Sequence, residues 1–383
     1  MTSSPTCPAS ASSRADADAA ETPPSPGRRG FVTRTALAGA AALALPAWSF
    51  AKAPAGSVAA PGAHAKDWAW LLGNWDVRHR RLKERLTGSQ DWQDFAGKSA
   101  CWATLDGLGT IDDNIVELPG DPYRGLGIRA YDRSSGQWSI WWLDARNPTH
   151  IDPPVRGGFD GDGGEFVGRD TLRGKPIVMR FRWHDIHGEQ PWWDQAFSPD
   201  DGASWETNWR NYFTRTAARP SALDRLADAP RDFDFLVGDW QVSHRRLRQR
   251  LVGSQNWDEF GGTLRNWPVL GGYGNVGDNV FEFPTGTVRG VGLRSYDAKT
   301  KQWLSWWLDG RTPTSIAAPV RGGFDAQGLG TFIGDDSLDG KPIRTRVLWS
   351  RITARSARWE QACSNDGGAS WETNWISDFV RKA

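Results

Sequence analysis

Gly73-Asn74-Trp75-Asp76-Val77-Arg78-His79-Arg80-Arg81-Leu82 returns as Gly238-Asp239-Trp240-Gln241-Val242-Ser243-His244-Arg245-Arg246-Leu247, 165 residues further along a chain of 383. From Gly73 to Gly107, laid against Gly238 to Gly272, 18 of 35 positions are identical. The correspondence runs almost to the C-terminus, with one inserted residue near Gly330. A repeat of about 150 residues is too long for a solenoid unit and suits a whole domain. The chain therefore reads as one fold built twice, over 66-215 and 231-383. The linker, 216-230, has room for one short helix from Ser221 to Ala227.

Within the quoted stretch Trp75, Val77, His79 and Arg81 fall on one face of a strand, and Asp76, Arg78, Arg80 and Leu82 on the other. Further strands are expected at Asp113 to Leu118, Gly125 to Tyr131, Gln137 to Leu143, Phe166 to Gly168, Ile177 to Trp183, Trp193 to Ser198 and Ser204 to Arg215. Pro119-Gly120-Asp121, Asp132 to Gly136, Gly161 to Gly164 and Arg173-Gly174-Lys175-Pro176 mark turns between them. Such spacing without crossover helices predicts an all-β protein whose antiparallel sheets curl or close.

Leu71-Leu72-Gly73-Asn74-Trp75 and Leu236-Val237-Gly238-Asp239-Trp240 head the copies, which close on strands ending in Arg215 and Arg381. In these features the chain resembles the calycin superfamily, the lipocalin and fatty-acid-binding-protein type of barrel. The resemblance implies two tandem antiparallel calycin-like β-barrels. It also implies that Arg215 stacks over Trp75, and Arg381 over Trp240, to close one end of each. The chain is more similar still to a bacterial domain family of unknown function that begins Leu-x-Gly-x-Trp-x-Val-x-His-Arg-Arg, which implies no activity.

With 46 basic and 45 acidic residues the formal charge is +1, so neither nucleic acid nor an anionic membrane is expected as partner. Tryptophan is in surplus: 24, of which 13 lie in the first copy and 10 in the second. Indoles suit both cores and aromatic-lined pockets. Residues 1-60 read as a disordered tail and signal peptide. Arg28-Arg29-Gly30-Phe31-Val32, followed by the apolar run Ala36 to Ala47, resembles a twin-arginine signal, with Ala51, Ala53 and Ala55 offering cleavage sites. That implies a twin-arginine translocase as partner during export and a periplasmic or secreted product with no membrane partner after cleavage. Cys7 lies in this segment; Cys101 and Cys363 sit at non-equivalent positions and are expected as buried free thiols.

Three motifs invite a chemistry they do not support. Ser198-Pro199-Asp200-Asp201-Gly202-Ala203-Ser204-Trp205 and its counterpart Ser364 to Trp371 resemble the Asp-box of sialidase propellers. A propeller needs one per blade of forty to fifty residues, so the box is expected to be a hairpin device. Gly272-Tyr273-Gly274-Asn275-Val276-Gly277 spells a dinucleotide fingerprint but precedes a strand, without the helix N-terminus that holds a pyrophosphate. His184 and His187 become Ser350 and Thr353, His64 and His150 stand alone, and the last strands lack histidine. No metal site is therefore expected. The haem-binding, nitrobindin-type calycins that the chain otherwise resembles use a histidine late in the barrel, so the resemblance implies no haem and no other cofactor.

What remains is the polar set present in both copies on otherwise apolar faces. It comprises His79 and Arg81 with His244 and Arg246; Trp142, Asp144 and Arg146 with Trp307, Asp309 and Arg311; and Gln195 with Gln361. These are the candidate ligand-binding residues, unless they form a salt-bridged layer that satisfies itself. Glu206 with Asn208, and Glu372 with Asn374, are expected on the solvent side of the final strands. The leading functional expectation is a periplasmic protein holding a small apolar or aromatic molecule. The alternative is a cofactor-independent isomerase, hydratase or cyclase. There His79 or His244 would act as general acid-base, Asp144 or Asp309 as the orienting carboxylate, and Arg81 or Arg146 as anion stabiliser. A partner-binding role through Arg78, Arg80 and Arg245 ranks third.

Overall fold

The computed structural model describes residues 63–382; the twin-arginine stretch and its cleavage sites lie outside them. The first copy supplies β1 (Gly73–Leu82), β2 (Trp92–Thr104), β3 (Gly109–Val116), β4 (Tyr123–Asp132), β5 (Gln137–Asp144), β6 (Val155–Asp160), β7 (Gly163–Leu172), β8 (Lys175–His184), β9 (Trp192–Ser198) and β10 (Glu206–Ala217). The second supplies β11 (Gly238–Leu247), β12 (Trp257–Val269), β13 (Gly274–Phe283), β14 (Gly286–Asp297), β15 (Gln302–Asp309), β16 (Val320–Phe324), β17 (Gly330–Leu338), β18 (Lys341–Ser350), β19 (Ser356–Ser364) and β20 (Glu372–Arg381). Every strand pairs antiparallel with its chain neighbours. β1 closes on β10 and β11 on β20, giving two closed ten-stranded barrels.

Because the strands alternate in direction, successive connections fall at opposite ends of a barrel. The end where β1 begins is plugged. Trp75 is opposite Arg215 in the β1–β10 register, and the guanidinium lies 4.0 Å from the indole centroid. Arg381 lies 4.3 Å above Trp240 in the same way. Each indole N–H donates to the carbonyl four residues back, Leu71 at 2.7 Å and Leu236 at 2.8 Å. Each arginine donates to two carbonyls of the segment ahead of its barrel, Trp70 and Leu72 for Arg215, Phe235 and Val237 for Arg381. Short 3-10 turns in those segments deliver Trp68 and Leu71, or Phe233 and Leu236, to floors built with Trp138, Phe166 and Trp183 or with Trp303, Phe332 and Trp349. Cation–π stacking of about 0.5–2 kcal/mol adds to the burial of these rings.

The strands β2 to β5 and β12 to β15 are buried on both faces over much of their length because their outer faces meet. Trp102 and Trp267 pack with centroids 5.5 Å apart, among Ile111, Leu126, Ile128, Val276, Val291 and Leu293. The contact is reciprocal: Asp113 accepts from the Leu270 amide at 3.0 Å, and Asp278 from the Leu105 amide at 3.3 Å. Both leucines have positive φ, 52° and 54°, so each carboxylate pins a strained turn of the other barrel.

The Asp-boxes are hairpin devices, with Asp200 accepting from the Ser204 amide and hydroxyl at 2.8 and 2.6 Å, and Asp366 repeating this with Ser370. Those bonds favour the ionised form and hold the Asp200 carboxyl down to about 2. The glycine string runs from a 3-10 turn, Leu270–Gly272, directly into β13. Residues 221-226 contain no helix; the Ser221 amide and carbonyl bond the Asn74 side chain and hold the linker extended. Cys101 and Cys363 are buried and free, and burial drives the Cys101 thiol well above its ordinary range.

Candidate functional site

The inward face of β1 carries Trp75, Val77, His79 and Arg81 in order from the plug to the open end. Beyond the plug, the first barrel encloses a cavity of about 370 Å³. All six candidates from the first copy line it: His79, Arg81, Trp142, Asp144, Arg146 and Gln195.

His79 sits deepest and is 5 % exposed. Its Nδ1 donates to the Asn211 side-chain oxygen at 2.6 Å, with the Trp209 indole nitrogen 3.3 Å away, and its ring stacks on Phe95 at 4.8 Å. An amide oxygen only accepts, so the proton rides on Nδ1, and Nε2 is buried without a partner against Gly97. Burial, opposed by the Asn211 bond and helped by the Arg81 charge, lowers its pKa to about 4. His79 is therefore neutral. Asp144 does not reach it: that carboxylate takes the Arg146 amide at 2.8 Å and its guanidinium at 3.0 and 2.5 Å. Arg146 also bonds Asp121 and lies 3.6 Å over the Tyr123 ring, so it leaves the line of β5 and closes on the rim. The pairing set out for a general acid-base and its orienting carboxylate is not assembled.

Gln195 donates to Asn208 at 2.8 Å, and Asn208 is fully buried. This corrects the expectation of a solvated Glu/Asn pair. The pairing of β10 with β9 slips between Thr207 and Trp209, and the extra residue of that bulge, Asn208, turns inward. Glu206 is half-buried and accepts from the Leu86 amide at 2.7 Å, fastening the 83–91 loop. Asn374 and Glu372 repeat both contacts with Gln361 and Leu251.

The structure adds residues that the candidate set leaves out. Arg129 and Asp112 form a buried ion pair deep in the cavity, with the guanidinium 4.4 Å over Trp68. Arg85, Tyr123, Asp152 and Asp170 stand around the open end, and Phe181, Trp193, Phe197 and Trp209 supply aromatic wall. Of these, Asp112, Asp152 and Tyr123 become Gly277, Ala317 and Val288 in the second copy. A search for shared positions passes over them for that reason.

In the second barrel His244 accepts from the Ser377 hydroxyl at 2.8 Å and the Trp375 indole at 3.4 Å, and burial lowers its pKa to about 4. Arg246 lies 4.9 Å over Trp375, Asp309 holds Arg311 at 2.5 Å, and Gln361 donates to Asn374 at 3.1 Å. The space beside these groups is filled differently. Phe281 and Phe283 replace Val116 and Leu118; Phe281 packs 5.0 Å from His244 and 5.8 Å from Trp307, and Phe283 4.2 Å from Phe260. Arg294, the counterpart of Arg129, has no carboxylate. It bonds Asn275 at 2.8 Å, and burial lowers its pKa to about 10.

No protein family and no curated protein matches the chain. Among solved structures it is similar to an S-type phycobiliprotein lyase, CPES, from Guillardia theta, at 10 % identity over 39 % of this chain and 90 % of that one, TM-score 0.29. It is also similar to a protein of unknown function from the DUF3598 family of Nostoc punctiforme, at 12 % identity over 84 % and 99 %, TM-score 0.26. A third likeness is to the tail fiber of Staphylococcus aureus phage P68, at 9 % over 79 % and 90 %, TM-score 0.16. Similarity this remote assigns neither ligand nor activity.

Proposed function

We propose that this is a calycin-like binding protein whose first barrel holds a small apolar or aromatic molecule. The twin-arginine signal read at Arg28-Arg29 would take it to the periplasm or beyond. The observation that carries the reading is the cavity of about 370 Å³, closed below by the Trp75–Arg215 plug and walled by aromatic rings, with one ion pair deep inside and other charged groups around the open end. Such a shape, an aromatic wall with polar groups able to direct a ligand, is what small-ligand sites share. The second barrel, with Phe281 and Phe283 beside its histidine, serves as the partner against which the first is braced. The enzymatic alternative gains no support from a neutral His79 held by Trp209 and Asn211.

The second copy supplies its own test. Val116→Phe installs the ring found at Phe281. Titrated with the neutral fluorophore dansylamide, the wild type is expected to bind with a blue-shifted emission, and Val116→Phe to bind about tenfold more weakly or worse with unchanged circular dichroism. Equal binding by the two proteins would show that the cavity is not where the probe sits.

A further inference from the structure

Four arginines and four aspartates line the first cavity, and half of them cancel locally. Arg129 is paired with Asp112, and Arg146 with Asp144. The other four are left, and the topology separates them. Arg81 points inward from the end of β1, and Arg85 follows in the loop above it. In a closed ring of ten strands the strand diametrically opposite β1 is β6. Asp152 stands just before β6. Asp170 lies on the adjacent β7, on the face of Phe166, which is fully buried in the core. The open end thus has a basic wall and, across the barrel, an acidic wall.

Neither pair is satisfied by the protein. Among the described residues Arg81 rests on the face of Trp209, 4.6 Å away, and Arg85 on the face of Phe197, at 5.6 Å. Asp121 and Asp144 act on Arg81, and Glu206 on Arg85, through space alone, with no carboxylate bonded to either. Asp152 has the exposed His150 at 3.7 Å, and Asp170 the Thr171 amide at 2.7 Å; neither has an arginine or lysine. Like charges are therefore held side by side in half-buried positions, an arrangement that costs energy until countercharges arrive. Burial lowers the Arg81 and Arg85 pKa values, the latter to about 10, and raises that of Asp152. In the second copy Asp152 is Ala317, and Asp336, the counterpart of Asp170, takes a bond from Thr345 at 3.2 Å.

Building on the cavity reading above, we infer that the ligand of the first barrel is bipolar: an apolar or aromatic body carrying an acidic group for Arg81 and Arg85 and a basic group for Asp152 and Asp170. The two walls then fix its orientation as well as its charge.

Three probes sharing one naphthalene body test this: dansylamide (neutral), dansylglycine (anionic) and dansylcadaverine (cationic). Each charged probe is expected to bind the wild type about tenfold tighter than the neutral one. Arg85→Met and Arg81→Met should each remove the advantage of dansylglycine alone, and Asp152→Asn and Asp170→Asn that of dansylcadaverine alone. Arg85 and Asp152 lie in loops, so at least one variant at each wall leaves the barrel intact. Charged probes no tighter than dansylamide, or a variant that weakens both alike, would overturn the inference and leave the cavity reading standing. If none of the three binds, the cavity reading falls with it.

Discussion

At the scale of single residues, the two histidines are where sequence and environment pull hardest against each other. His79 and His244 are each 5 % exposed, and burial lowers both to about 4 from an ordinary 6.5. A folded-state pKa below the unfolded one means that the unfolded chain binds more protons between those values. The stability they confer is thus complete above about pH 6.5 and is lost as the pH falls toward 4, at most about 3 kcal/mol for each ring. Asp113 runs the other way: burial raises it to about 7, so its share declines as the pH rises through that range. A double variant, His79→Gln with His244→Gln, keeps Asp113 and loses the histidine contribution. Its melting temperature is expected to drop less between pH 7 and pH 4.5 than that of the wild type; parallel drops would show that the rings are not buried neutral. Alternation along Gly73 to Leu82 is enough to predict that these imidazoles face inward, but not what they meet. Trp209, Asn211 and Ser377 come from the far end of each copy, and only closure of the ring brings them there.

Among the elements, legibility follows burial on one face or two. β1, β4, β5 and β8 to β10 are foreshadowed by alternation and by turn residues. β2 is not, because its second half is buried on both sides, against the barrel interior and against the other barrel, which erases the period of two. β6 is short and glycine-rich, and at Gly157 a Cβ would stand 1.8 Å from the Glu165 carbonyl, so close pairing rather than side-chain pattern defines it. The bulges at Asn208 and Asn374 are equally silent, since one inserted residue reverses the faces that alternation assigns. Those asparagines hold Gln195 and Gln361 inside the barrels. Asn208→Ala or Asn374→Ala would strand a buried amide, at a cost of about 1–3 kcal/mol. Urea unfolding should show that loss as a lower midpoint at unchanged slope, and a midpoint within error of the wild type would mean that the bulge side chains are dispensable.

For the whole molecule, the repeat has become asymmetric inside and has stayed symmetric where the halves meet. The interiors diverge at Val116 and Phe281, Asp112 and Gly277, Asp152 and Ala317, changes whose shared direction no linear comparison discloses. The interface keeps matched parts: Trp102 on Trp267, Asp113 on the Leu270 turn, Asp278 on the Leu105 turn. Its apolar cluster draws fully buried residues from both halves, among them Ile111, Leu126 and Leu143 from one and Val276, Val291 and Leu308 from the other. Neither barrel could expose that face to water without losing the burial that stabilises β2 to β5 and β12 to β15. Two domains sharing a core of this kind should unfold as one unit. Scanning calorimetry is expected to give a single endotherm whose van't Hoff and calorimetric enthalpies agree. Trp102→Ala with Trp267→Ala, which empties the centre of the contact, should split it in two. Two resolved endotherms in the wild type would mean that the barrels stand independently and that the second does not brace the first.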